Sequence, residues 1–219
     1  MASRIINVAL IVSIVLVLGS CAAPTTITSY QTRIPASDWL VSGNMPLSGY
    51  GAYGYVILRK NPIEILSSRE GEFCKHYREG MMQTGVFKYT NKENLMPTYW
   101  MLKADDVDKK SCESLIENYD FERATKIAAT TGNLGSIGPL LIAWRLPFEI
   151  KGNQEALVID LENIPPSEFS KVISIWTEEI TNDPEAWANG FDIKLIRLKF
   201  GVFIDKYGDK LISLAKLAK

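Results

Sequence analysis

The chain opens with a segment that has no place in a water-soluble core. Met1 to Arg4 is short and basic, Ile5 to Leu18 is uncharged and mostly apolar, and Gly19 with Ser20 makes a small-residue exit. A basic start, an apolar centre and a small-residue boundary are the anatomy of an export signal that is cut away. The apolar run has fourteen residues, short of the ~20 a helix needs to cross the hydrocarbon layer. Residues 1–20 therefore read as a signal peptide, and the fold is expected from the residues after it.

Leu18, Gly19, Ser20 and Cys21 resemble the lipobox of bacterial lipoprotein precursors, where an aliphatic residue and two small residues precede the cysteine that is lipidated. The resemblance covers the export segment alone. It implies that the Cys21 sulfur receives a diacylglyceryl group, that the peptide bond before it is cut, and that the new amino terminus is acylated. Two or more acyl chains anchor firmly where one does not, so a Cys21 modified in this way suffices to hold the chain on a membrane. An Asp after the cysteine would resemble the inner-membrane retention signal of enteric bacteria, but Ala22 stands there. The implied address is the outer membrane, facing the periplasm, with the inner membrane and the cell surface as alternatives.

After such cleavage 199 residues remain of 219, enough for one domain with its own core. Loss of Arg4 leaves 23 basic against 25 acidic residues. A chain without a basic excess lacks the electrostatic footprint of a nucleic-acid binder. With Cys21 assigned to lipid, Cys74 and Cys112 are left. In an oxidising compartment two remaining cysteines are most simply a disulfide, with separately buried thiols as the alternative.

Residues 21–50 are rich in Thr, Ser, Pro and Gly and read as the lipidated cysteine and a flexible tether. Trp39, Leu40 and Val41 form an apolar knot within it that can dock on the domain or on a partner. Residues 51–219 then read as a single α/β domain. Tyr53 to Arg59 suits a buried strand that stops at Asn61 and Pro62. Ser67 and Glu70 stand in a capping-box arrangement ahead of Phe73, Tyr77 and Met81, which recur at helical spacing. Thr98 to Leu102 reads as a second strand, Cys112 to Tyr119 and Asp120 to Gly132 as helices, and Leu140 to Trp144 as a central strand. Gly152 and Asn153 offer a turn into a fourth strand, Ala156 to Leu161, antiparallel to the third. Pro165 and Pro166 open a helix bearing Trp176, and a short turn carries Trp187. From Ile193 onward, Phe200, Phe203, Tyr207, Leu211 and Leu214 recur at three and four residues, and the expectation is one long carboxyl-terminal helix with Lys216 and Lys219 at its end. The class predicted is α/β, about four strands in a mixed sheet packed with helices.

Chemistry-bearing residues are sparse. His76 is the sole histidine, two positions from Cys74. Helical neighbours at that spacing point roughly 200° apart, so a thiol and imidazole there cannot pair. Gly132, Gly135 and Gly138 invite comparison with a phosphate loop, but such loops open a helix, whereas these come after one. Asp105, Asp106 and Asp108 form an acidic cluster without the remaining features of a calcium loop. Arg59, Lys60, Lys103, Asp105, Arg145, Asp160 and Glu162 fall at strand ends, where α/β sheets often place a ligand crevice. Tyr50, Tyr53 and Tyr55 could stack on glycan rings or pack the sheet. Gly201 and Gly208, seven residues apart, would let a second helix approach.

These residues name no cofactor and no metal. The expectation is a membrane-anchored envelope lipoprotein that binds other envelope proteins as a scaffold subunit. Two alternatives stand beside it: a periplasmic hydrolase of peptidoglycan or glycan using Asp160 and Glu162, and a small-ligand carrier.

Overall fold

A computed structural model describes residues 36–83, 88, 91–133, 135–146 and 154–216. They belong to one compact unit, Arg33–Lys219. The leader, Cys21, the first part of the tether, the turn at Gly152 and Asn153, and Lys219 lie outside the described residues.

The fold is mixed α/β, built on one sheet of six strands in the order β1-β3-β2-β4-β5-β6. These are β1 Ser37–Val41, β2 Tyr53–Ile57, β3 Thr98–Leu102, β4 Leu140–Trp144, β5 Glu155–Asp160 and β6 Ile212–Lys216. The helices are α1 Arg69–Tyr77, α2 Cys112–Glu117, α3 Phe121–Thr130, α4 Phe169–Ser174, α5 Ile193–Lys199 and α6 Gly201–Tyr207. π-helical turns, Arg78–Gln83 and Ile175–Ile180, extend α1 and α4.

β1, β3 and β2 run parallel, β4 opposes β2, and β5 opposes both β4 and β6. The parallel pair β2 and β3 needs a crossover, and α1 supplies it. β2, β3 and β4 are buried at every position, which is why their sequences are nearly continuous apolar runs rather than alternating ones. On one face Trp176 donates its Nε1–H to Thr98 Oγ1 at 2.8 Å, and Tyr77 packs its ring 5.3 Å from that of Trp100. On the other, Tyr55 stacks on Trp144 at 4.3 Å and lies 6.0 Å from Tyr99. α3 packs on β2, with Arg123 close enough to act electrostatically on Tyr55. The tyrosine stretch therefore packs the sheet, with Tyr53 and Tyr55 buried.

Two expectations are corrected. Ser37–Val41 is not tether but the edge strand β1, registered on β3 from Ser37 opposite Thr98 to Val41 opposite Leu102. Leu40 is buried, so the knot docks on its own domain. The long carboxyl-terminal helix is two short helices and a strand. Gly208 adopts φ 91°, a conformation glycine takes without strain, and it ends α6. Ile212 and Leu214 then lie opposite Ile159 and Leu157 on one face of β6. The spacing of Tyr207, Leu211 and Leu214 imitated a helix across a break. A Cβ at Gly201 or Gly208 would meet nothing within 4 Å, so neither glycine makes room for a close helix, and Lys216 ends an edge strand.

The register divides the sheet into two edges. β1, β3, β2 and β5 end at one, where Ile57, Leu140 and Asp160 are neighbours. The described chain begins at Ala36, at the other. We call these the carboxyl and amino edges.

Candidate functional site

At the carboxyl edge the chain leaves β2 through Arg59 and Lys60 and turns back over Pro62 to Leu66 before α1. Two hollows lie there. One, of about 440 Å³, is lined by Lys60, Pro62, Ile63, Glu64, Ser67, Ser68 and Glu70. The other, of about 210 Å³, is lined by Asp160, Glu162, Asn163, Ile164, Tyr207, Lys210 and Leu211.

α1 begins one residue later than the capping box predicts. Ser68 is the cap, and its Oγ accepts from the Gly71 N–H at 3.0 Å. Ser67 Oγ instead donates to Glu64 Oε2 at 3.1 Å. Glu70 thus falls in the first turn, where a carboxylate complements the helix end. The residue is nevertheless only 5% exposed. Burial pushes the carboxyl above its ordinary range, while its own backbone N–H, Arg69 and Lys60 pull it back.

Arg69 joins the start of α1 to the loop after β5. Its guanidinium donates to the carbonyl oxygens of Leu161 and Ile164 and lies 5.1 Å from the Phe169 ring centroid. Burial holds it below its ordinary range, against the opposing pull of Glu70, Asp160 and Glu162. Sequence reading passed over Arg69. The available signal was a cation in a first helical turn, where the helix dipole disfavours one.

Of the strand-end groups, Arg59, Lys60, Asp160 and Glu162 do meet at this edge. Arg59 donates from Nε to the Ser136 carbonyl at 3.0 Å. Asp160 Oδ1 accepts from Ser136 Oγ at 3.0 Å and from the Glu162 N–H at 2.9 Å. Lys103 reaches the Glu117 carbonyl at 3.3 Å. Arg145 is separated from them, because β4 runs opposite to β2 and ends at the amino edge. There it lines a third hollow, of about 400 Å³, with Leu146, Gln154, Glu155, Gly190 and Phe191.

The remaining candidates resolve into structure. Gly132, with φ 72°, ends α3. A Cβ at Gly138 would come within 2.6 Å of the Glu162 Cα, so this glycine lets the start of β4 pack on the loop after β5. Asp105 pairs with Lys109 at 2.6 Å, and Asp108 accepts from the Lys110 N–H at 2.9 Å. His76 stands 3.9 Å from Glu79. Cys74 and Cys112 bring their sulfurs to bonding distance, 2.14 Å, with Cα atoms 5.8 Å apart, and so link α1 to α2. Among the described residues no helix is long and apolar enough to cross a membrane.

No protein-family model, curated protein or solved structure matches the chain.

Proposed function

We propose that the chain is a lipid-anchored envelope protein that acts by binding, as a subunit holding other envelope proteins in place. The lipobox-like Leu18 to Cys21 supplies the address. In the periplasm, the compartment this address implies, the Cys74–Cys112 pair is oxidised to a stable bridge. The binding role rests on where apolar side chains are left in water. Of the eight large apolar residues that stand exposed among the described residues, three, Ile63, Leu66 and Ile137, lie on the turns around Lys60 and Ser136 at the carboxyl edge. Neighbouring apolar side chains left in water are a mark of an interaction surface. The described chain begins at the opposite edge, with fourteen residues between Cys21 and Ala36. Fully extended they span ~50 Å at most.

Mass spectrometry of protein purified from membranes tests the anchor: the amino-terminal peptide should begin at Cys21 and carry diacylglyceryl and acyl mass. An intact Met1 start or an unmodified sulfur would remove the anchor. A photo-crosslinking residue in place of Ile63 tests the role. Capture of another envelope protein in living cells is expected, and crosslinks to the chain alone would end the reading.

One observation favours the hydrolase as a second reading: Asp160 and Glu162 line the same hollow. Against it, the Asp160 carboxylate is engaged in holding its own loop. A small-ligand carrier has weaker support, since these three hollows lie at the edges of the sheet and not between its layers.

A further inference from the structure

The hollow beside Glu70 supports a sharper reading, which rests on the proposed binding role. Apart from its own backbone N–H, the Glu70 carboxylate has no hydrogen-bond or ion-pair partner among the described residues. A first-turn carboxylate can complement a helix end from the surface while keeping its hydration. Burial removes much of the hydration, and the partial charge at a helix end, ~+0.5, offsets only part of that cost. The chain therefore keeps a largely buried carboxylate at the wall of an open hollow, with Arg69 and Lys60 acting on it only from a distance and no side chain among the described residues in direct contact with its oxygens.

The lining states which charge would complete it. Glu64 and Glu70 face Lys60, a formal balance of −1, so an anion is repelled and a cation drawn in. Ile63, fully exposed, and Pro62 set an apolar wall beside the carboxylates. A planar guanidinium fits best, because its fork can donate to both carboxylate oxygens while its stem lies along apolar surface.

We propose that this hollow receives a basic side chain of a partner protein, arginine above all, with a neighbouring apolar residue of the partner packing on Pro62 and Ile63. The long stem of Lys60 lets its ammonium swing aside as the guest enters. Glu70 is then the anchor, and Glu64 a rim charge that adds less.

The test is a titration of the isotope-labelled full chain in detergent micelles with two capped tripeptides, acetyl-Leu-Arg-Leu-amide and acetyl-Leu-Gln-Leu-amide, tracked by backbone amide NMR. Amides of residues 63–72 should shift, with the arginine peptide binding about tenfold more tightly than the glutamine peptide. Glu70→Gln should abolish that ratio, and Glu64→Gln should keep most of it. Ile63→Ser, at a position whose exposure makes it safe for folding, should weaken both peptides alike and leave the ratio intact. Equal binding of the two peptides, a ratio that survives Glu70→Gln, or shifts confined to other regions would overturn the proposal. If Ile63 crosslinks to an envelope protein while the peptides bind equally, the basic guest is wrong and the binding role stands. If the crosslinks fail as well, both fall.

Discussion

The hydroxyl of Tyr119 donates to the carbonyl oxygen of Val56 at 2.6 Å and accepts from the Leu58 N–H at 3.1 Å. One fully buried phenol thus satisfies two backbone groups at the point where β2 stops pairing and the chain turns toward the Glu70 hollow. The link between α2 and α3 is thereby fixed to the carboxyl edge.

Tyr119→Phe keeps the ring and deletes both bonds, leaving a carbonyl and an N–H without a partner in the core. The expected cost is ~1–3 kcal/mol. In urea denaturation the midpoint should fall while the slope stays the same. An unchanged midpoint would mean that water reaches these groups.

The Cys74–Cys112 link closes a loop of sequence separation 38, for which chain entropy gives ~4 kcal/mol of stabilisation. Cys74→Ala with Cys112→Ala should lower stability by about that amount. Reductant should lower the wild type similarly and leave the double variant unaffected. A reductant effect on the double variant would count against the bridge as its target.

Much of the sheet is legible in the sequence because punctuation surrounds it. Pro97 precedes β3, Pro139 precedes β4, and Asn61 with Pro62 comes after the end of β2, so these strands fall where the apolar runs stand. β1 and β6 escape for opposite reasons. β1 is an edge strand set in a Thr-, Ser- and Pro-rich stretch, so its five residues resemble tether. β6 carries apolar residues that continue a helical spacing across Gly208, and only the backbone reversal at that glycine reveals the change of period. The site is less legible than the fold. Asp160 joins Lys60 at one edge, and Arg145 departs from it, only because of strand directions that no local pattern encodes. Glu70 reads as a cap because Ser67 and Ser68 are equally good caps by type. Its burial depends on a turn folding back over the helix start, and that turn contributes no periodic signal.

Burial dominates the Glu70 carboxyl and holds its folded pKa above the unfolded one, against the opposite pull of its own N–H, Arg69 and Lys60. A group raised in this way contributes stability that is complete below the unfolded value, ~4.3, and is lost as pH rises through the folded value. Glu70→Gln removes that loss. The variant should match the wild type near the acid end, gain on it as pH rises through the folded value, and keep that lead above it, in denaturation curves taken across the range. A gap that narrows with rising pH would show the ionised carboxylate to be compensated in the free protein, and the hollow would then have no unmet charge.

Asp160→Ala removes the acceptor shared by Ser136 and the Glu162 N–H, at an expected cost of ~1–3 kcal/mol. Asp160→Asn should cost much less, because the amide oxygen can still accept both bonds. Equal losses for the two variants would show that charge and not hydrogen bonding matters here, and that would return Asp160 to the hydrolase reading.

Gly71 lets the turn before α1 close onto the helix. A Cβ there would lie 1.8 Å from the Ile65 carbonyl oxygen, backbone against backbone, so no side chain can swing away to relieve it. Gly71→Ala must displace either the start of α1 or the turn that carries Ile63, and overpacking of this kind costs ~1–3 kcal/mol. Gly135→Ala is the control, since a Cβ there meets nothing within 4 Å. Its effect should stay within ~0.5 kcal/mol. Because the displaced turn forms one wall of the hollow, Gly71→Ala should also cut the preference for the arginine peptide severalfold with Glu70 still in place. If stability falls and the preference is untouched, the carboxylate acts without the shape around it, and the apolar half of the proposed contact is wrong.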